Sequence, residues 1–550
     1  MQPGFPKKRR NYWTPLLVFL LLIFGIFIGF QLNRYLDYKR PIETVIERND
    51  RVEEIIDLIN ERYVDSVNKN LLYDDAITGV LKNLDPHTTY IPAKEMRDVN
   101  DKLNGNFKGI GIEFLMVNDT IVITSIIKNG PSEDAGLKIG DKILKIGSNW
   151  VAGKNIKSAE LLNLVRGPED SKVELIIDRK DREFPFSVTI KRGLVPLYSI
   201  DASYMVNAQT GYIKIDRFSA TTYREFMKSL TALLKSGMTQ LILDLRQNPG
   251  GYLDAATAVA DELIGNKKLL VYTEGRMMPK QEVYAEKAGD FEKGKLIVLV
   301  DEGSASASEI LAGAVQDWDR GIIMGRQTYG KGLVQEQFTL TDGSALRLTI
   351  ARYYTPTGRD IQRSYDKGKA SYESDYLKRF SESGIQPYSD KKTKDTNSFY
   401  TEIKHRKVYG GGGIRPDVTI PFKTTSYSGS LYDLLVSKVL KTTVFQYYTN
   451  NDGIFSKYKS FPDFSRNFQV TPELMYLLKS NFEKEYPLQV EKVWSDQQAL
   501  NYLAVRMKAQ FAKILFGDDG YYQLINSDDE TMIRALEILN SKEYSRIIGG

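Results

Sequence analysis

Residues 295–335, KLIVLVDEGSASASEILAGAVQDWDRGIIMGRQTYGKGLVQ, leave the chain little choice of local structure. Lys295 to Val300 is an almost wholly apolar run, as expected of a strand buried on both faces. Asp301-Glu302-Gly303 reads as a turn. From Ser306 the periodicity becomes helical, with Ala307, Ile310, Leu311, Ala314, Val315 and Trp318 at i, i+3, i+4, i+7, i+8 and i+11. Gly321 to Gly325 reads as a second buried strand, followed by Lys331 in a Gly-Lys-Gly turn. Spacing alone leaves two readings open. The serine and lysine form a catalytic pair, or SASAS is a small-residue helix packed closely on a sheet and Lys331 is a solvated turn residue.

Composition narrows the chemistry. The absence of cysteine excludes disulfides, thiolate metal sites and a cysteine nucleophile. Only His87 and His405 exist, which argues against a metal centre and against Ser-His-Asp catalysis, and no cofactor is expected. A serine hydroxyl needs a base to take its proton, and lysine serves once desolvation lowers its pKa. Lys331 lies between apolar segments, and Gly330 and Gly332 permit close approach to another backbone. In an extended chain Lys331, Leu333 and Gln335 share a face, so Gln335 can orient the amine without adding charge. The Ala307 N–H at the helix start would face a tetrahedral oxyanion. The Gly250-Gly251 turn after the buried run 240–245 could supply a second donor. That turn lacks the spacing of a phosphate or dinucleotide loop. Ser-x-x-Lys also occurs at Ser66–Lys69, Ser364–Lys367 and Ser456–Lys459, as chance allows, and the Ser-Asp-Asn and Lys-Thr-Gly motifs of penicillin-recognising enzymes are absent.

Other segments set the context. Lys7-Lys8-Arg9-Arg10 precedes an uncharged apolar run from Trp13 to Phe30, just long enough to span a bilayer, with the basic cluster placing the N-terminus in the cytoplasm. No Ala-x-Ala cleavage site follows, so an uncleaved anchor is expected over 12–31 after a cytoplasmic tail at 1–11. An amphipathic helical arm spans 40–97 and ends on the turn-like block Leu84-Asp85-Pro86-His87-Thr88-Thr89-Tyr90. His87 is far in sequence from every candidate nucleophile and reads as structural. Residues 98–193 form a β-rich module whose order resembles a PDZ domain. In that family a loop such as Gly109-Ile110-Gly111-Ile112 offers N–H groups to a peptide carboxylate while the peptide adds a strand to the sheet edge. Strands and helices alternate through an α/β core at 194–424, interrupted by a polar insertion at 364–409 that reads as a surface loop. A helical segment fills 425–550 and carries no chemical motif; Thr471-Pro472-Glu473 is a helix start within it. The net charge of +5 is small for this length, and no basic stripe points to nucleic acid. The fold class is therefore mixed α/β and β, multidomain, with a membrane anchor and helical ends.

The order of these parts, with Leu-Asp-Pro-His, DLRxNPGG, GSASASEI and YGKGLVQ, resembles the C-terminal processing peptidases over roughly residues 45–420. That resemblance implies an ATP-independent serine endopeptidase. Its nucleophile would be Ser306, its base Lys331 25 residues on, and its orienting residue Gln335, with Asp317 at a position linked to activity, read as acting through structure. It further implies capture of apolar C-terminal tails of envelope proteins, a catalytic body on the periplasmic or extracytoplasmic side of the cytoplasmic membrane, and helical-repeat adaptor proteins as partners; homo-oligomerisation is left open. The rival is a PDZ scaffold that binds tails without cutting them. The choice of Ser306 over Ser304 and Ser308 rests on the resemblance.

Overall fold

The computed structural model describes residues 51–265, 267–382, 398–421 and 429–549. The expected tail and anchor at 1–31 lie outside them, as does 383–397 of the insertion. Among the described residues no helix is long and apolar enough to cross a membrane. The chain divides into two compact units at Val80/Leu81. In the first, the helix Arg51–Arg62 buries Ile56 and its Asp57 pairs with Lys69 at 2.5 Å.

In the second unit, apolar runs form a six-stranded sheet in the order Ile200–Met205, Thr210–Ile215, Gln240–Asp244, Lys295–Val300, Ile322–Gly325, Val418–Thr419. The first pair is antiparallel and the rest are parallel. Strand residues alternate between faces. Ile213, Leu243 and Val298 pack with the helices Thr222–Lys235, Leu253–Leu263 and Ala307–Asp317. Tyr212, Ile242, Ile297 and Leu299 face the other way, against Met532, Ile538, Leu539 and Tyr544 of the last two helices, Glu530–Leu539 and Glu543–Gly549. The C-terminal segment thus supplies the second cover of the core sheet.

A second sheet carries the hairpin Leu333–Thr339/Ala345–Tyr354, and Thr89–Ile91 pairs antiparallel with its longer strand. That pairing ends the Leu-Asp-Pro-His block inside the protease body, where a helical arm to residue 97 was expected. The β-rich module is entered and left through one antiparallel ribbon, Asn106–Gly109 with Gly193–Pro196. It contains an antiparallel sheet ordered Ile112–Val117, Thr120–Ile126, Lys142–Ile146, Lys172–Asp178, Phe186–Lys191. Its core includes Ile121, Ile143, Leu175 and, from the helix Ser158–Val165, Leu161 and Val165.

The insertion departs from the expected loop. It holds the helix Lys369–Glu382 and the hairpin Ser398–Tyr400/Lys407–Tyr409. Its polar composition hides this, although the helix buries the Tyr372 ring. Downstream, a separate aromatic core stacks Phe455 on Phe511 and Phe464 on Phe468. There Thr471 caps its helix by accepting from Leu474 N–H at 3.3 Å.

Candidate active site

The strand Lys295–Val300 hands over to the helix Ala307–Asp317 through a turn that polar side chains fix. Asp301 Oδ1 accepts from Gln247 N–H at 2.8 Å and from Gly303 N–H at 3.0 Å. The three serines then separate by their partners. Ser304 and Ser308 are fully buried, and each donates to the Leu245–Gly251 turn, Ser304 to Leu245 O at 2.8 Å and Ser308 to Asn248 O at 3.0 Å. Ser306 is half-buried at the helix N-cap, with φ 56° and ψ −115°. A β-carbon residue in that region costs of order 1–3 kcal/mol, and such strain at a strand-to-helix turn serves to push a hydroxyl into the open. Among the described residues Ser306 Oγ makes no side-chain hydrogen bond to Lys331.

Two groups bind the Ser306 and Lys331 backbones to each other. Glu309 Oε2 accepts from Ser306 N–H at 2.8 Å and from Lys331 N–H at 2.9 Å, so the two nitrogens lie within about 6 Å. Its Oε1 accepts from Gly330 N–H at 2.8 Å and Thr328 Oγ1 at 2.5 Å. Burial pushes this carboxyl up to about 7, against the pull of its hydrogen-bond donors. The Tyr353 hydroxyl donates to Ser306 O at 3.0 Å and also to Lys331 O, and burial raises its pKa so that it stays a donor.

Lys331 Nζ donates to Gln335 Oε1 at 2.7 Å, and Gln335 Nε2 donates to His87 O at 2.7 Å, which fixes the amide's orientation. A bulge between Val334 and Gln335 interrupts the hairpin register there. Burial, with Arg347 repelling the charge, lowers the Lys331 pKa to about 8, against the attraction of Asp85 and Glu309. His87 is also at the site. Burial and the Lys331 charge hold its pKa down at about 4, so its imidazole is neutral at pH 7.

Gly250 is pressed against the serine: a Cβ there would lie 2.9 Å from Ser306 Cβ and 2.7 Å from Ala305 O. Its own N–H is taken by Asn248 Oδ1 at 2.9 Å. Gly251 is exposed, and neither its N–H nor that of Ala307 has a partner among the described residues. Asp317 is away from this chemistry. It is buried in an ion pair with Arg359, itself fully buried, and accepts from Thr357 Oγ1 at 2.8 Å. In the β-rich module the 109–112 loop runs through Gly111 at φ 80°, with the Ile110 side chain buried. The edge of Ile112–Val117 away from Thr120–Ile126 is unpaired among the described strands.

Sequence reasoning missed Glu309, Tyr353 and the nearness of His87. Ser306-x-x-Glu309 is a capping-box spacing and would have flagged the glutamate. No local signal places His87, which strand pairing brings in from 244 positions before Lys331.

The fold joins an α/β body holding the serine and lysine to a separate β-rich module, and comparison with known proteins gives the family. The peptidase family S41 profile matches residues 209–368 and a PDZ domain profile residues 109–190. The activating protease CtpB N-terminal domain matches 33–95, and a family of unknown function matches 430–517. The chain is 37% identical over 317 residues to the carboxy-terminal-processing protease of Bartonella bacilliformis, covering 57% of this chain and 72% of that one. It is 33% identical over 363 residues to the carboxy-terminal processing protease CtpB of Bacillus subtilis, covering 65% and 74%. A solved structure of the photosystem II D1 C-terminal processing protease is similar at 27% identity and a TM-score of 0.33, covering 56% of this chain and 89% of that one. The chain belongs to the carboxy-terminal-processing proteases of peptidase family S41: it is a serine-type peptidase with a PDZ domain.

Proposed function

We propose that this peptidase cuts proteins presented by their apolar C-terminal tails, using Ser306 as nucleophile, Lys331 as general base and Gln335 to orient the amine. The observation that carries the reading is the Lys331 environment. The amine is buried enough to hold a pKa of about 8 and is bonded to Gln335, and Glu309 ties the Lys331 backbone to that of the half-buried serine in the turn. Neutral Lys331 takes the Ser306 proton as Oγ attacks the scissile carbonyl carbon, and the ammonium returns it to the leaving amine. Water then hydrolyses the ester by the same relay. The N–H groups of Ala307 and Gly251 receive the oxyanion, while Gly250 lets the turn pass close beneath Ser306. The Gly109-Ile110-Gly111-Ile112 loop and the open Ile112–Val117 edge receive the tail as an added strand.

Residues 12–31 anchor the chain in the cytoplasmic membrane with the peptidase on the extracytoplasmic side; the basic-then-apolar N-terminal pattern supports this. Helical-repeat adaptors and a homo-oligomer belong to the same reading as partners. The test uses the detergent-solubilised full chain and an unfolded protein ending in an apolar tail. Cleavage lost in both Ser306→Ala and Lys331→Ala, insensitive to chelators and weakened by amidating the substrate C-terminus, supports the reading. Persistent cleavage in either variant refutes the pair, and indifference to amidation refutes tail capture.

A further inference from the structure

A polar helix buries an aromatic ring only where the ring finds partners. Tyr372, on the insertion helix Lys369–Glu382, is 3% exposed and packs on His87, Arg363 and Tyr329. Its hydroxyl lies 3.0 Å from His87 Nε2, with the two rings edge-on at 84°. The Arg363 guanidinium sits 3.7 Å from the Tyr372 ring centroid, within cation–π range. Arg363 is 4% exposed, and its Nε and Nη2 are buried with no hydrogen-bond partner among the described residues. Of the three rings within cation–π range of that charge, Tyr372 is nearest, with Tyr329 at 4.9 Å and Tyr376 at 5.7 Å. Asp375, one helical turn on, reaches Arg363 Nη1 at 3.3 Å.

His87 and Arg363 each hold one flank of Lys331. The His87 carbonyl accepts from Gln335, whose other end accepts from Lys331 Nζ. The Arg363 N–H donates at 3.0 Å to the carbonyl of Gly330, the residue before Lys331. There is no slack on that side, because a Cβ on Gly330 would lie 3.1 Å from Arg363 Cβ. One insertion side chain thus grips both supports of the lysine.

We propose that Tyr372 is a positioning residue for Lys331, and that the Lys369–Glu382 helix belongs to the apparatus that sets the base. The inference rests on Lys331 acting as the base. Tyr372 fixes the His87 turn, the turn fixes Gln335, and Gln335 fixes the amine, while the Tyr372–Arg363 stack holds the Gly-Lys-Gly turn from the other side. The charged and titratable groups around Lys331 are Asp85 and His87 from the turn, Arg347 from the hairpin and Glu309 from the nucleophile helix. Tyr372 adds no charge to that set; it keeps the set in place and dry.

The experiment measures kcat, KM and the pH profile of cleavage for the full chain, with active sites counted by an irreversible serine-directed phosphonate. Tyr372→Phe keeps the ring on Arg363 and removes the hydroxyl, so kcat falls about five- to tenfold at unchanged KM, the size of one net hydrogen bond. Tyr372→Ala removes both grips. Its kcat falls further, and its acid limb moves to higher pH because water at Lys331 favours the ammonium. Combining Tyr372→Phe with His87→Phe costs no more than the larger single loss, since both break one link. Tyr400→Phe, on the exposed insertion hairpin, leaves all three quantities unchanged. Wild-type kcat and pH profile in Tyr372→Phe, or losses that multiply in the double variant, overturn the proposal. If Tyr372→Ala does not fold, the phenylalanine variant and the cycle decide. Cleavage surviving Lys331→Ala would instead overturn the assignment of the base, a distinct result.

Discussion

Replacing Lys331 by methionine should abolish peptidase activity and stabilise the fold. The ammonium is held in a site that lowers its pKa from 10.5 to about 8, chiefly by burial. One pKa unit corresponds to about 1.4 kcal/mol, so the charged lysine costs the folded state about 3 kcal/mol at neutral pH. Methionine has similar length and no charge to desolvate. It forfeits the hydrogen bond to Gln335, worth about 1 kcal/mol, which leaves a net gain of about 2 kcal/mol at pH 7. The sign follows from the direction of the shift. A depressed folded pKa means that the lysine's cost is absent above the unfolded value of 10.5 and present in full below the folded value of about 8. The difference therefore favours the variant by about 2 kcal/mol below pH 8 and moves by about 3 kcal/mol by pH 10.5, where it favours the wild type by about 1 kcal/mol. Urea unfolding of both proteins between pH 6 and 10.5 measures that difference, with the other lysines and tyrosines cancelling between them. A gap that does not change with pH, or a variant less stable at pH 7, would refute the desolvated-amine argument. The same shift sets the rate. At pH 7 about a tenth of Lys331 is free base, against about one part in three thousand for a solvated lysine, so wild-type kcat/KM should rise along a limb of apparent pKa about 8.

Glu309→Gln keeps the shape but turns an NH2 group toward amide donors, losing two hydrogen bonds that are charge-assisted only in the ionised half of the molecules at pH 7, about 1–3 kcal/mol each. Denaturant unfolding should show a loss of about 2 kcal/mol or more, and cleavage should fall at least a hundredfold because Ser306 and Lys331 lose their common tether. Asp317→Ala leaves the Arg359 guanidinium buried without its partner and should cost about 3–5 kcal/mol in unfolding experiments. Because Asp317 touches the 355–359 loop and not the serine, kcat per titrated active site should stay near wild type at low temperature. Asp529→Ala removes both the cap that accepts from Met532 N–H at 2.9 Å and the partner of Arg246 at 2.8 Å. The expected loss is about 1–2 kcal/mol, read as earlier proteolytic release of the C-terminal helices.

What the sequence made legible was whatever repeats locally. The run Lys295–Val300, the helical periodicity after Ser306 and the alternation in the hairpin each match an element of the structure. The helix begins one residue past Ser306, as a serine at an N-cap should allow. The module from Gly109 was legible because its turns carry glycine at Gly111, Gly136 and Gly140, all at positive φ. What stayed hidden depends on distant partners. An apolar run announces that both faces of a strand are covered but not which segment covers them, so the helices carrying Ile538 and Tyr544 could not be matched to Ile297. His87 is distant in sequence from the serine and the lysine, and only the pairing of Thr89–Ile91 with the hairpin brings it near them. Tyr372 lay in a stretch whose average polarity concealed one ring buried at the site.

These hidden contacts explain why a motif-free segment stays attached to a peptidase. The DLRQNPGG turn has to hold Gly250 against Ser306, and the strand leading into it is anchored from below. Tyr212 donates to Asp244 Oδ2 at 2.8 Å, and Arg246 bridges from Asp244 to Asp529, the cap of a C-terminal helix. Burial works against an ionised Asp244, yet Arg246 and Lys214 hold its pKa down at about 2. A charge cluster of that kind stays favourable only while it remains dry and every member keeps its partner. Stripping away the final helices would wet Ile242, Ile297 and Leu299 and would leave Arg246 without its second carboxylate. The disturbance would then reach the turn beneath the nucleophile through a single strand, Gln240–Asp244. The C-terminal helices therefore support, from the far side of the sheet, the strand that leads into the turn holding Gly250 against Ser306.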